Sequence, residues 1–353
     1  MTGTMKAYQV VDLGSPPRMM DIPVPQPYRG EVLVRLAGNG LCHSDFAIMN
    51  MPATVVAAQN WTLPFTLGHE AAGWIEDIGP DVTGFEVDDA VLVMASHSDG
   101  TCPYCRQGLD NACVENYASR GCGRDGGGLA EYLVTSARLA LKLGGIDPAG
   151  AGPLSDAGLT SYHAVKRVLP KLVPGTTAVI IGAGGLGSFA VQYLRRLSAA
   201  RVVAVDINPA RLDFARELGA HETILHMDEA ARRRIVALDD GLGAAAVIDF
   251  VGSESTIEEG LACVRRGGIF VMIGAAFGGS RTPWYNLLPK EAEICALQGG
   301  TIAEQQEVIA LANAGLIRNE VEFFPFSRVE EAYGKLHEGK LRGRAVVTPN
   351  RWL

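Results

Sequence analysis

The chain has 353 residues, 48% of them hydrophobic and 20% charged, with a formal net charge of −8; this is ordinary for a globular protein and long for a single core, so two domains are expected. The basic residues form no run denser than Arg232-Arg233-Arg234, which argues against nucleic acid or an anionic membrane as partner. No apolar stretch is long enough to span a bilayer, and residues 1–11 lack the basic-then-apolar pattern of an export signal, so a cytoplasmic location is expected.

In chain order, short β-type runs broken by Gly, Pro and Asp come first, at 6–11, 31–36, 74–78, 90–94 and 131–135. Strands this short and this spaced suggest a partly open β-barrel with long loops. Two of those loops carry metal-ligand chemistry. Gly40-Leu41-Cys42-His43-Ser44-Asp45 and Gly68-His69-Glu70 offer a thiolate, Cys42, and an imidazole, His69, while Asp45 is placed to orient the imidazole ring. A third loop holds Cys102, Cys105 and Cys113. In a chain with seven cysteines and no export signal, that spacing points to a metal before it points to disulfides.

Beyond residue 175 the pattern changes to strands alternating with helices. Strands are expected at 176–182, 201–207, 222–225, 245–250, 269–274 and 293–298, with helices at 185–197 and 209–218. Val and Ile on both faces of these strands predict a parallel, doubly wound sheet covered on both sides. The first strand runs into Gly182-Ala183-Gly184-Gly185-Leu186-Gly187 and then a helix. Gly182 permits the tight turn, Gly184 lets a pyrophosphate approach the backbone, and Gly187 lets helix and strand pack closely. The helix N-terminus at Gly185 and Leu186 supplies unpaired N–H groups for phosphate. Asp206 follows about twenty residues on, where a carboxylate binds the 2′-hydroxyl of an adenosine ribose and repels a 2′-phosphate. NAD is therefore expected over NADP, with Arg211 within reach of the same pocket. Asp206 could instead cap the following helix, a task Asn208 could equally perform. After 299 the chain has further helices and a final strand at 344–347, and is expected to return to the first domain.

The ordered set G-x-x-x-C-H-S-D, G-H-E, a cysteine cluster and G-x-G-x-x-G resembles the zinc-dependent medium-chain alcohol dehydrogenase family over nearly the whole chain. The resemblance implies a GroES-like catalytic domain (1–157), a Rossmann domain (158–298) and a C-terminal segment (299–353) that rejoins the catalytic domain. It implies a catalytic zinc whose third ligand is commonly a cysteine; here Asp156 stands at that position. Glu70, counted with Ser44, Asp45 and His43 among the catalytic residues, is the alternative ligand if Asp156 only caps a helix. It implies a structural zinc whose four-cysteine loop here begins with Asp99, ahead of Cys102, Cys105 and Cys113; His97 and Cys122 are alternative fourth ligands.

The implied reaction is hydride transfer between NAD and an alcohol/carbonyl pair at zinc, with Ser44 starting a proton relay. Several relatives complete that relay with a histidine five residues after the cysteine. Here Ala47 occupies the position, leaving His43 or ordered water. By the same resemblance Thr160 touches the nicotinamide, Arg344 the pyrophosphate or nicotinamide ribose, and Phe250, Val251 and Ile273 flank the cofactor. A homodimer or homotetramer is expected, joined through an edge strand near 269–273. Phe46, Met49, Trp61, Leu129, Trp284 and Tyr285 could line an apolar pocket or belong to core or interface. A polyol dehydrogenase, or a non-catalytic protein binding NAD and zinc, remains an alternative at this point.

Overall fold

The computed structural model describes residues 3–115, 120–123 and 126–349. The chain divides into two compact units: Met1–Leu159 with Gly299–Gly315 and Asn319–Leu353, and Thr160–Gln298 with Leu316–Arg318.

In the first unit the strands are β1 (Thr4–Val10), β2 (Arg18–Pro23), β3 (Glu31–Gly40), β4 (Phe65–Thr66), β5 (Glu70–Ile78), β6 (Ala90–Val93), β7 (Tyr132–Ser136) and β8 (Ala140–Lys142). The second unit contains β9 (Thr177–Ile181), β10 (Arg201–Asp206), β11 (Glu222–Leu225), β12 (Ala244–Asp249), β13 (Val264–Met272) and β14 (Glu293–Ala296). The last two strands, β15 (Val321–Pro325) and β16 (Arg344–Thr348), belong to the first unit again.

The first unit is built on a small sheet, β2-β1-β4, and a larger one in the order β15-β16-β3-β5-β6-β8, with β7 pairing β3. Apart from the parallel β15–β16 pair, its neighbours are antiparallel. Side chains such as Val32, Val34, Ile75, Val91 and Tyr132 fill one apolar core between them. The β3–β5 ladder slips register between Leu33 and Val34 and again between Leu36 and Gly38, the second slip lying toward the end that meets the Cys42 and His69 loops.

The second unit is a six-stranded sheet in the order β11-β10-β9-β12-β13-β14, parallel throughout. Every residue of β9 and β12 is buried, as expected of central strands covered on both faces. Strand order reverses beside β9, and the glycine loop leaves from that strand's carboxyl end, where doubly wound sheets bind their ligands. The helix Gly185–Leu197 that follows packs Phe189 and Tyr193 wholly inside.

Two expectations are corrected. Residues 269–273 are not at an edge: β13 pairs with β12 on one side and β14 on the other, so the free edge is β14. The C-terminal segment also does not return whole. Leu316–Arg318 stays with the second unit, where the Gln192 side chain bonds both the N–H and the C=O of Arg318 and Arg196 bonds the Leu316 carbonyl.

A Cβ at Gly187 would lie 1.9 Å from the Gly182 carbonyl oxygen, so the helix can sit this close to the turn only with glycine. Gly187→Ala is predicted to push the helix off the turn, destabilising the protein by about 1–3 kcal/mol and weakening NADH binding. Thermal melts and a fluorescence titration of NADH check both effects.

Candidate active site and metal-binding loop

The site assembles where three strands meet. Gly40, the last residue of β3, is register partner of both Glu70, the first residue of β5, and Val346 of β16. Cys42 therefore follows β3 by two residues, His69 precedes β5 by one, and Arg344 opens β16 beside them. Asp156 arrives separately, at the end of the 3-10 turn Gly152–Ser155. One donor atom each from Cys42, His69, Glu70 and Asp156 lies within 4.8 Å of the others. A Cβ at Gly40 would fall 1.9 Å from the Glu70 carboxylate, so glycine is what lets that group lie against β3.

Electrostatics in this cluster favour a cation. Burial alone pushes the His69 imidazole down, but the charge of Asp45 and the closeness of Asp156 and Cys42 outweigh it and raise it well above its ordinary value. The ring stands between two carboxylates, Nδ1 3.3 Å from Asp45 and Nε2 3.6 Å from Asp156. Burial pushes the Asp156 carboxyl up, yet His69 and then Arg344 hold it well below the usual carboxylate range. Burial also pushes Glu70 up, against the pull of the Arg344 guanidinium bonded to it. Acidic side chains gathered round a buried imidazole suit a divalent ion, and thiolate, imidazole and carboxylate are the donor types zinc takes. These residues fit a zinc.

The second cluster, Asp99, Cys102, Cys105 and Cys113, also brings its donors within 4.8 Å of one another. Its sulfurs accept backbone N–H groups: Asp99 N–H to Cys113 Sγ and Cys105 N–H to Cys102 Sγ, each at 3.4 Å. Such donors lower the Cys102 thiol to about 7, and the N–H groups of Cys102 and Thr101 hold Asp99 down to about 2. Asp99 stands at the position expected of it, and the donor set again fits zinc.

Around the glycine loop, Asp206 Oδ2 accepts the Ala183 N–H at 2.8 Å, tying the end of β10 to the loop. Asn208, not Asp206, caps the following helix, its side chain accepting from Ala210. Arg211 lies 4.0 Å from Asp206, and its guanidinium is 3.6 Å from where a Gly184 Cβ would be. Phe250 and Val251 pack against Gly182, and Ile273 follows β13 alongside. Thr160 is buried in the helix Ala157–Val168.

Arg344 is buried, with Glu70 as its partner and Asp156 3.9 Å away. Cys122 and His97 are not in the Asp99 cluster; Cys122 is buried in the apolar core, where burial pushes its thiol to about 12. Trp61 and Leu129 are core residues, with Phe46 and Met49 packed against the same cluster. Tyr285 is exposed, and the Trp284 side chain lies outside the described residues. His43 and Ser44 are exposed at the start of the helix Ser44–Met49, whereas Asp45 is fully buried. Two contributors gave no signal in the sequence. Ser161 bonds the Leu186 carbonyl of the glycine loop, and Tyr333 bonds Asp45; each pairing joins residues far apart in the chain.

The parallel sheet with its glycine loop and the two donor clusters define a protein that binds a dinucleotide and metal. Residues 28–145 match the alcohol dehydrogenase GroES-like domain, and residues 185–314 match the zinc-binding dehydrogenase domain. The chain is 33% identical to the NAD-dependent alcohol dehydrogenase of Sulfurisphaera tokodaii, over 98% of its own length and 100% of that protein's. It is 32% identical to the D-arabinose 1-dehydrogenase (NADP(+)) of Saccharolobus solfataricus, over 98% and 97%. The alcohol dehydrogenase structure from Aeropyrum pernix superposes with a TM-score of 0.90 at 33% identity, covering 98% of this chain and 100% of that one. The chain belongs to the zinc-dependent medium-chain alcohol dehydrogenase family and is a nicotinamide-dependent oxidoreductase.

Removing the Arg344 guanidinium would leave Glu70 buried without its counter-charge. Arg344→Met is predicted to cost about 3–5 kcal/mol of stability, read by urea denaturation, with Glu70→Gln in the same chain recovering most of the loss.

Proposed function

We propose that the enzyme oxidises an apolar primary or secondary alcohol to its aldehyde or ketone, and catalyses the reverse reduction, with NAD preferred over NADP. The observation that carries this reading is the convergence of Cys42, His69 and Asp156 in one cluster. Zinc held by these three residues supplies a Lewis acid for the alcohol or carbonyl oxygen, and NAD the hydride acceptor. Thiolate and carboxylate together offset the ion's charge, and Asp45 holds His69 with Nε2 toward the ligand cluster. Ser44, two residues past Cys42 and exposed, accepts and passes on the substrate's proton, since a hydroxyl does both. No imidazole follows at position 47, so the proton continues through His43 or water. Asp206 accepts the ribose 2′-hydroxyl and opposes a 2′-phosphate, and Arg211 beside it limits the size of that preference. Asp99, Cys102, Cys105 and Cys113 hold a second, structural zinc that staples their loop.

An alcohol substrate is supported by the relatives named alcohol dehydrogenases. A sugar or polyol substrate is the second reading, favoured by the D-arabinose dehydrogenase among the relatives. No helix among the described residues is long and apolar enough to cross a membrane, and the seven cysteines are unpaired, which supports a reducing cytoplasm. The exposed β14 edge, with Ile294 partly bare, supports a homodimer or homotetramer.

Metal analysis should find two zinc ions per chain, one for each donor cluster. Asp156→Ala should lose one of them together with at least about 100-fold in kcat/KM, whereas Cys105→Ser should lose the other and chiefly lower the melting temperature; full zinc and full turnover in Asp156→Ala would remove it as a ligand. Initial rates for aliphatic and benzylic alcohols, D-arabinose and sorbitol, each with NAD and NADP, should favour an apolar alcohol with NAD by more than about tenfold. A preference for D-arabinose would establish the second reading instead.

A further inference from the structure

We propose that Tyr333 is a positioning residue of the active site, its hydroxyl fixing the Asp45 carboxylate that in turn orients His69. The inference rests on the reading that Cys42, His69 and Asp156 hold the zinc.

Asp45 is fully buried, and its two oxygens have separate tasks. Oδ2 accepts two hydrogen bonds, from the Cys42 backbone N–H at 3.0 Å and from the Tyr333 hydroxyl at 3.1 Å. Oδ1 faces His69 Nδ1 at 3.3 Å. A carboxylate turns as one plane about its Cβ–Cγ bond, so whatever pins Oδ2 also sets where Oδ1 points. A proton kept on Nδ1 by that oxygen leaves Nε2 as the ligand nitrogen, on the side of Asp156.

The two pins are of different kinds. The Cys42 N–H comes from three residues away and moves with the loop it belongs to. Tyr333 comes from the helix Val329–His337, 288 residues along the chain, and is anchored independently. Its ring is stacked on Tyr8, with centroids 6.3 Å apart and planes at 26°, and meets Phe46 edge-on at 5.6 Å and 68°. Those two neighbours pack the ring from two sides. A phenylalanine would fill the same space, so packing has no need of the hydroxyl, and a buried hydroxyl without an acceptor is destabilising. Asp45 is the acceptor that the structure gives it, which makes the O–H to carboxylate bond the specific contribution of this side chain.

Tyr333→Phe keeps the ring and removes only that bond. Zinc affinity measured by chelator competition should fall by about tenfold or more, in the range seen when outer partners of metal ligands are lost. The ligand-field bands of the cobalt-substituted protein should shift with it. Tyr8→Phe removes a hydroxyl from the same stack without touching Asp45 and should bind zinc as the parent does. In an Asp45→Asn background, Tyr333→Phe should add less than a twofold further loss. Parent-like affinity and spectrum in Tyr333→Phe would overturn the proposal. So would an equal loss in Tyr8→Phe, which would mean packing, or an undiminished effect in the Asp45→Asn background. His69→Ala identifies which zinc is being followed. If the same binding phase survives that change, the ligand set itself is wrong and this inference goes with it, whereas its disappearance leaves the Tyr333 comparison to decide.

Discussion

The first unit depends on a balance of charge in a place with little water. Cys42, Asp45, Glu70 and Asp156 bring four acidic groups around one imidazole, with a single guanidinium, Arg344, as fixed counter-charge. Gathering acidic groups in a buried place is unfavourable for their charged forms unless something cationic joins them. The protein's own share of the answer is visible in the directions of the shifts: Glu70 is pushed toward its neutral form, His69 toward its charged form, and Asp156 stays ionised. A divalent ion held by Cys42, His69 and Asp156 would complete that balance.

The surrounding β-structure serves this cluster by geometry. Pairing Gly40 with Glu70 on one side and Val346 on the other sets the ends of three strands at one level, and each end delivers a functional residue. The β3–β5 ladder is irregular at two places, between Leu33 and Val34 and between Leu36 and Gly38. A regular antiparallel ladder would carry side chains alternately to opposite faces.

In the second unit the same economy of contacts appears around the glycine loop. Asp206 reaches back to the Ala183 N–H, Ser161 holds the Leu186 carbonyl, and Asp249 accepts the N–H groups of Val251 and Gly252 at the next strand end. These bonds hold the loop rigid before a cofactor meets it, so little ordering remains to oppose binding. Asp206 thus has a place in the free protein as well as toward ribose.

How much of this was legible beforehand follows from the range of the interactions. Residues 182–187, the helix from Gly185 to Leu197 and the spacing of Cys102, Cys105 and Cys113 are local patterns, and local patterns are written in consecutive residues. Cys42 and His69 offered donor types that zinc takes, whereas Asp99 and Asp156 were reached only through the family resemblance; the structure brings each into a donor cluster. The role of Arg344 as partner of Glu70, the inward packing of Trp61 and Leu129, the edge at β14 and the bond from Tyr333 to Asp45 were not legible in the sequence. Each joins positions from separate elements whose side chains look unremarkable alone. By itself the sequence determined the two-unit plan, the dinucleotide loop and the metal-binding chemistry; tertiary structure alone decided which buried charge faces which, since that depends on register and packing between strands that no local pattern specifies.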